Sequence, residues 1–138
     1  FVAGLANGTG QTEPLLRALD GLRRHIYLEE EFLFPPLREA GMMVPLFVML
    51  RQHGELWKTM DALAGLLDAD SDADADAYAD TLRASCTSLL ALLDEHNSKE
   101  EPIIYPQADK VLTSEASEEL TAFLAAGRMP DGWVCAKA

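Results

Sequence analysis

One eleven-residue pattern, His-x-x-x-Glu-Glu-x-x-x-aromatic-Pro, occurs twice in the chain, at residues 25–35 and again at residues 96–106. These two frames hold two of the only three histidines in the sequence. In an α-helix, a residue four positions further on is rotated by about 40° and raised by about 6 Å, so Glu29 and Glu100 each lie on the face of the histidine that opens their frame. Each His–Glu pair can therefore reach one metal centre.

Both frames direct their histidines toward apolar stripes. The apolar side chains within about 60° on the helical wheel are Leu22 and Phe32 around His25, and Leu89, Leu92, Leu93 and Ile103 around His96. Glu30 and Glu101, five positions after each histidine, are predicted to point away. Burying a carboxylate and an imidazole among leucines costs free energy unless a bound cation neutralises them. The structural alternative is a pair of buried His–Glu hydrogen bonds, but the repeat favours a metal.

The third histidine, His53, lies on an apolar face of its own helix. Its neighbours there are Leu46, Met49, Trp57 and Met60. Such a histidine alone is more often a hydrogen-bonded core residue than a ligand. Antiparallel helices would nevertheless place Glu29 and His53 at similar heights, roughly 12–14 Å from the turn that joins them. We therefore predict that His53 is a ligand, and that a dry wall beside the metal is built from Phe47, Met49, Trp57 and Met60.

Apolar periodicity and helix-end signals predict a chain that is helical throughout. The predicted helices run from Thr12-Glu13-Pro14 to Pro35-Pro36, from about Leu46 to Asp68, from about Leu82 to Pro102 and Pro106, and from a cap at Thr113 or Ser114 to Gly127 and Pro130. No stretch alternates like a strand. We expect one all-α domain over residues 1–138, with the motif-bearing core at 12–110 and a C-terminal helix and tail at 113–138.

The net charge and the cysteine content indicate which classes of partner and which cellular setting to expect. The 138 residues include 11 Lys and Arg against 23 Asp and Glu, a net charge of −12, which repels phosphate backbones and anionic lipids. The longest apolar run, residues 42–50, is shorter than the roughly 20 residues that span a bilayer. We expect no nucleic acid and no membrane partner. Cys86 and Cys135 lack CxxC spacing, which predicts no disulfide framework and a reducing, cytoplasmic setting.

Two stretches outside the frames carry their own interpretations. Residues 68–80 alternate Asp with small residues, like a calcium-binding loop, but Ala73 and Ala79 stand where an EF-hand that starts at Asp68 needs Gly and Glu. A solvated turn between helices is the favoured interpretation. Residues 1–6 resemble the tail of a helix that began earlier, which indicates an N-terminal truncation.

The two frames and the intervening Leu50-Arg51-Gln52-His53 resemble the hemerythrin-like, or HHE cation-binding, domains. The likeness covers residues 14–106 and includes the order His–Glu, His, His–Glu. It implies an up-down four-helix bundle of hemerythrin type that holds two non-haem irons. The ligands that it implies are the nitrogens of His25, His53 and His96 and the bridging carboxylates of Glu29 and Glu100.

The chain departs from that family at two positions. The family's first helix normally supplies a further histidine, which nothing before His25 provides, so we expect this helix to be missing or truncated, or one iron to be under-coordinated. Trp57 stands where the oxygen-carrying hemerythrins place a second histidine on the same helix, which favours sensing or redox chemistry over oxygen transport. A ferritin-type site would need Glu-x-x-His, and that spacing is absent.

Mixed imidazole and carboxylate ligands suit iron or manganese better than calcium, and the lack of thiolate ligands argues against structural zinc or an iron–sulfur cluster. We therefore predict two non-haem irons, with manganese or zinc as substitutes, that bind or react with O₂, NO or hydrogen peroxide. One alternative is a di-iron enzyme that reduces or disproportionates peroxide, O₂ or NO. The other is a helical bundle in which the metal is structural or regulatory.

Overall fold

The computed structural model describes residues 12–68 and 75–138, and all regular secondary structure within these ranges is helical. The elements are α1 (Thr12–Leu28), a first π-helical segment (Glu29–Leu33), α2 (Phe34–Glu39), α3 (Met43–Asp68), α4 (Ala75–Lys99), a second π-helical segment (Glu100–Ile104), α5 (Tyr105–Val111) and α6 (Ser114–Ala126). Each π-helical segment joins its flanking helices into one continuous unit. The described part of the chain therefore has four helical units, and the all-α prediction is confirmed.

The prolines of the two frames do not end their helices, contrary to prediction. The backbone instead makes hydrogen bonds that span five residues, from the N–H of Phe34 to the carbonyl of Glu29 and from the N–H of Tyr105 to the carbonyl of Glu100. The wider turn takes up an extra residue. Pro35, in the first frame, then falls within the first turn of α2, a position that tolerates proline.

The helical units pack antiparallel in sequence order. Arg23 on α1 forms a 2.8 Å ion pair with Asp61, near the end of α3. The Tyr78 hydroxyl near the start of α4 donates to the Leu66 carbonyl at the end of α3, at 2.6 Å. The turn between α2 and α3 contains Gly41 at φ 90°, a left-handed conformation that glycine adopts without strain. This register places Glu29 and His53 at the same height, as the sequence predicted.

The buried apolar side chains form two clusters along the bundle. One contains Leu15, Leu19, Ile26, Leu56, Trp57, Met60, Leu63, Leu82, Cys86, Leu89 and Cys135. The other contains Leu28, Leu33, Phe34, Leu37, Leu46, Met49, Ile104, Ala108 and Phe123. His25 and Glu29 lie where the first cluster gives way to the second along the first helical unit, and His96 and Glu100 lie between Leu89 of the first cluster and Ile104 of the second. Met49, Trp57 and Met60 are buried as predicted, whereas Phe47 is 59% exposed and Ile103 is 46% exposed, so the prediction that they face the core is wrong.

The fourth helical unit, α6, closes the bundle against the first frame. Thr113 caps it by accepting a hydrogen bond from the Ala116 N–H at 3.1 Å, and Gly127 follows its last turn, both as predicted. The Arg24 guanidinium donates to the carbonyl of Phe123 at 2.6 Å and so satisfies a helix-end acceptor. The Phe123 ring packs 5.3 Å from that of Tyr27. Side chains on α1 therefore hold the C-terminal end of α6.

Some sequence-based predictions lie outside the described residues. These are the helix remnant at residues 1–6, residues 69–74 of the acidic stretch, and the outward orientation of the Glu101 side chain. The prediction of a turn over the whole of residues 68–80 is wrong at its end, because α4 begins at Ala75 rather than near Leu82. None of the helices in the described ranges contains an apolar stretch that could span a bilayer.

We expect the Phe123→Ala variant to lower the free energy of unfolding by about 3 kcal/mol, because it removes a buried ring that contacts α1. Leu124→Ala is the matched control on the same helix. Its side chain is 55% exposed, so the change should stay within about 0.5 kcal/mol. Urea titration followed by circular dichroism measures both values. Equal, small losses would contradict the packing of α6 against the bundle.

Candidate metal centre

Four side chains from three helical units converge in the interior of the bundle. Glu29, His53, His96 and Glu100 each offer one ligand atom, and these atoms all lie within 4.8 Å of one another. None of the four residues is more than 2% exposed. Glu29 and Glu100 each open a π-helical segment, so both carboxylates project where the backbone changes its helical period. Such segments often occur at functional sites.

The convergent atoms contact one another rather than other protein groups. Among the described residues, the buried side-chain nitrogens and oxygens without a well-aligned hydrogen-bond partner are both carboxylate oxygens of Glu29, Nε2 of His53, Nε2 of His96, Oε2 of Glu100 and, elsewhere, Nε of Arg83. Within the cluster, imidazole nitrogens lie close to carboxylate oxygens, as Nε2 of His96 does to Oε2 of Glu100 at 2.8 Å. Buried imidazole and carboxylate groups that face one another in this way are the arrangement expected of ligands around a cation. The donor set therefore fits a metal ion.

The opposite nitrogens of the two buried histidines are held in place. Nδ1 of His53 lies 2.7 Å from Oε2 of Glu30, and Nδ1 of His96 lies 2.9 Å from Oε1 of Gln52. Each Nδ1–H donates to its acceptor, so Nε2 is the ring nitrogen that faces the cluster. Metal-bound histidines are oriented in the same way by an acceptor on the other ring nitrogen. The Phe34 ring stacks on His53, with 5.4 Å between centroids.

His25 lies at the edge of the cluster rather than inside it. Its Nε2 is 3.0 Å from Oε1 of Glu29 and 3.8 Å from Oε1 of Glu100, but 47% of its side chain is exposed. The hydroxyl of Tyr105 donates to Oε1 of Glu100 at 2.5 Å and lies 3.3 Å from Nε2 of His25. The structure therefore places all five residues predicted from the sequence close together, with four in the buried cluster and His25 at its exposed edge.

The carboxylates hold protons on the neighbouring imidazoles in the metal-free state. Hydrogen bonds to Glu100 and Glu29 raise the pKa of His25 from 6.5 to about 10. Burial disfavours a charged His53, but Glu29 and Glu30 override it and raise the pKa of His53 to about 9. Burial also disfavours ionised Glu100, yet His25 and His96 lower its pKa. The protons on His25 and His53 thus supply positive charge that a bound metal ion would otherwise supply.

The prediction that Glu30 points to solvent is wrong. The π-helical segment begins at Glu29, so the α-helical rotation per residue no longer applies at the fifth position after His25. Glu30 is instead directed at α3, where its side chain is 5% exposed and contacts His53. Sequence reasoning also missed the role of Gln52. The sequence signal that could have revealed this role was the position of Gln52 next to His53, on a central helix that is expected to be buried on both faces.

A family comparison agrees with the fold and the site. Fold and side chains together define an all-α bundle with a His/Glu cluster suited to a metal ion. The chain belongs to the family described as hemerythrin HHE cation binding domain, whose model matches residues 5–108, and the bundle is of hemerythrin type. Comparison with curated proteins and with solved structures gives no significant match.

We expect the metal-free protein to lose stability as the pH rises from about 6.5 to about 10. The folded state keeps protons on His25 and His53 that the unfolded chain releases above 6.5, so their stabilisation is complete below pH 6.5 and disappears as the pH passes the raised pKa values. Melting temperatures in a chelating buffer at several pH values measure this loss.

His25→Gln isolates the contribution of the site from other titrating groups. This variant removes one titrating imidazole at a half-exposed position, so its melting temperature should fall less steeply over the same pH range. Parallel pH profiles for the two proteins would contradict the assignment.

Proposed function

We propose that this domain binds two non-haem iron ions and reacts there with O₂, NO or hydrogen peroxide. The proposed ligands are His25, His53, His96, Glu29 and Glu100. The observation that supports this most is that Glu29, His53, His96 and Glu100, all buried, bring one ligand atom each to within 4.8 Å of one another. Burying these polar groups costs free energy that a bound cation would offset.

The carboxylate positions support two ions rather than one. Oε1 of Glu29 lies 3.0 Å from Nε2 of His25 and 3.6 Å from Nε2 of His53. Oε1 of Glu100 lies 3.8 Å from Nε2 of His25, while its Oε2 lies 2.8 Å from Nε2 of His96. Each carboxylate thus faces two imidazoles, one at the exposed edge and one inside. A carboxylate in that position can bridge two ions.

The donor types favour iron. Imidazole and carboxylate ligands suit iron and manganese, and neither cysteine belongs to the cluster. When bound, iron supplies one-electron redox chemistry and a coordination position open to a diatomic molecule or peroxide. Manganese or zinc could occupy the same ligands.

The protein's own groups would orient the ligands and exclude water. Glu30 and Gln52 hold the two inner imidazoles in one tautomer, so their Nε2 atoms need no reorganisation. Phe34, 1% exposed and stacked on His53, keeps water from the inner side of the cluster. Tyr105, at the open edge, holds a proton next to Glu100 and His25. Small molecules would approach past His25.

The presence of Trp57 at this position favours a redox reaction over reversible oxygen transport. Its indole has only an N–H donor and cannot ligate a metal. It is also committed to packing, since its ring lies 5.5 Å from that of Trp133 and under the Arg23 guanidinium at 4.7 Å. No nitrogen ligand comes from this position. Two alternatives remain. One is a di-iron enzyme that reduces peroxide, O₂ or NO, and the other is a purely structural metal.

The proposed setting is the cytoplasm, with small molecules as partners. Cys86 and Cys135 are both buried free thiols, and burial raises the pKa of each thiol, which leaves them in the unreactive protonated form. The net charge of −12 disfavours nucleic acid and anionic membranes.

We expect protein loaded with ferrous iron under anaerobic conditions to contain about two irons per chain and to melt at a higher temperature than the metal-free form, because binding to the folded state adds to its stability. Glu29→Ala and Glu100→Ala should each lose most of the iron. Glu39→Ala, an exposed glutamate of α2, is the matched control and should keep it. Elemental analysis gives the content, and absence of iron from the wild-type protein would refute the proposal.

We expect the reduced, iron-loaded protein to be oxidised by O₂, NO or hydrogen peroxide without any organic substrate. Stopped-flow absorption spectra after anaerobic mixing follow this reaction through the ligand-to-metal bands. A stable adduct that disappears when the O₂ pressure is lowered would contradict the redox preference. Repeated consumption of peroxide would establish the enzyme alternative, and inertness toward all three molecules would leave the structural one.

A further inference from the structure

Glu30 connects a proposed metal ligand to the far end of the described chain. Its Oε2 accepts from Nδ1 of His53 at 2.7 Å, and its Oε1 accepts from the backbone N–H of Ala136 at 3.0 Å. An ionised carboxylate only accepts hydrogen bonds, so these two donors fix its rotation about the last side-chain bond. The plane of the Glu30 carboxylate is therefore set by the chain at residue 136 as much as by the histidine.

The segment that follows α6, residues 128–138 (the return segment), is docked firmly enough to act in this way. The Trp133 ring packs 5.0 Å from that of Tyr27, and its indole N–H donates to Glu31 at 3.2 Å. Cys135 is 2% exposed and belongs to the apolar cluster that contains Trp57. The return segment is thus anchored by residues that directly precede Ala136, whose N–H faces Glu30.

Helix α3 also accommodates the return segment next to His53. Gly54 is buried, and a Cβ atom at this position would overlap the backbone carbonyl of Lys137. Its helical backbone does not require glycine, so the close approach of the return segment is what the missing side chain permits. The chain passes over α3 beside the proposed ligand because residue 54 has no side chain.

We propose that the return segment is a positioning element for His53, and that it acts through Glu30. The inference rests on the proposed function, in which His53 is a ligand. When the return segment is docked, Glu30 holds the imidazole with Nε2 directed into the cluster. When the Ala136 hydrogen bond is lost, the carboxylate is free to rotate, and the imidazole loses the acceptor that fixes its orientation. Metal binding on the His53 side then weakens although no ligand has changed.

The sharpest test removes the single backbone donor. Ala136 occupies the second position of a turn closed by the hydrogen bond from the Ala138 N–H to the Cys135 carbonyl at 3.1 Å. Proline is well accepted at that position of a turn, so Ala136→Pro deletes the N–H while keeping the turn. Ala136→Ser keeps the N–H and is the matched control.

The first readout is the affinity for Co²⁺, obtained by competition with a chelator, together with the visible spectrum of the bound ion. Ala136→Pro should weaken binding about 10-fold, as expected for loss of an interaction that orients a ligand, and should shift the Co²⁺ bands, whereas Ala136→Ser should match the wild type. In the Glu30→Gln background, Ala136→Pro should add little, because both changes act on the same contact. Wild-type affinity and spectrum for Ala136→Pro would overturn the proposal.

The second readout needs no metal and separates this proposal from the proposed function. In the metal-free protein, the His53 Nδ1 proton should give a slowly exchanging, downfield NMR signal that Ala136→Pro shifts or broadens. Gly54→Ala, which displaces the return segment without touching residue 136, should change the same signal if the proline variant folds poorly. An unchanged signal in folded Gly54→Ala would refute the positioning role. A failure of wild-type protein to bind Co²⁺ or iron would instead refute the proposed function.

Discussion

Two carboxylates buried between apolar clusters impose the main energetic constraint on this bundle. Glu29 and Glu100 are at most 1% exposed, and an ionised carboxylate without compensation is among the most costly groups to bury. In the metal-free state, protonated imidazoles provide the compensation, as the raised pKa values of His25 and His53 show. A metal ion would provide it with the histidines neutral. The packing of the clusters above and below therefore depends on positive charge in the layer between them.

The π-helical segments make this layer possible in a chain that has prolines close to its ligands. An uninterrupted α-helix through the first frame would lose the backbone hydrogen bond that Pro35 cannot donate. The wider turn that starts at Glu29 removes this conflict and at the same time redirects Glu30 toward α3. A π-helical segment also starts at Glu100 in the second frame. The repeated sequence thus encodes a repeated backbone irregularity as well as a repeated ligand pair.

The parts of the site that follow from local periodicity could be predicted from the sequence, and the parts that depend on distant contacts could not. The i, i+4 spacing placed Glu29 beside His25, and helix length alone placed His53 at its depth. The roles of Glu30 and Gln52 depend on which residue of a neighbouring helix faces them, which no single helical period determines. Phe47 follows the apolar pattern of α3 yet is 59% exposed, and which face of a helix its neighbours leave uncovered is likewise not fixed by the pattern of that helix.

The two inner histidines are supported differently, and this asymmetry follows from the return segment. His96 donates to the side-chain amide of Gln52 on α3, whereas His53 donates to the carboxylate of Glu30. Carboxylate acceptors behind metal-bound imidazoles orient the ring and strengthen it as a ligand. The Glu30 carboxylate also accepts from the Ala136 N–H, so the acceptor of His53 is itself held by the return segment. The proposed ligand His53 is therefore positioned by two separate parts of the chain, while the half-exposed His25 edge beside Tyr105 is where we propose that a small molecule enters.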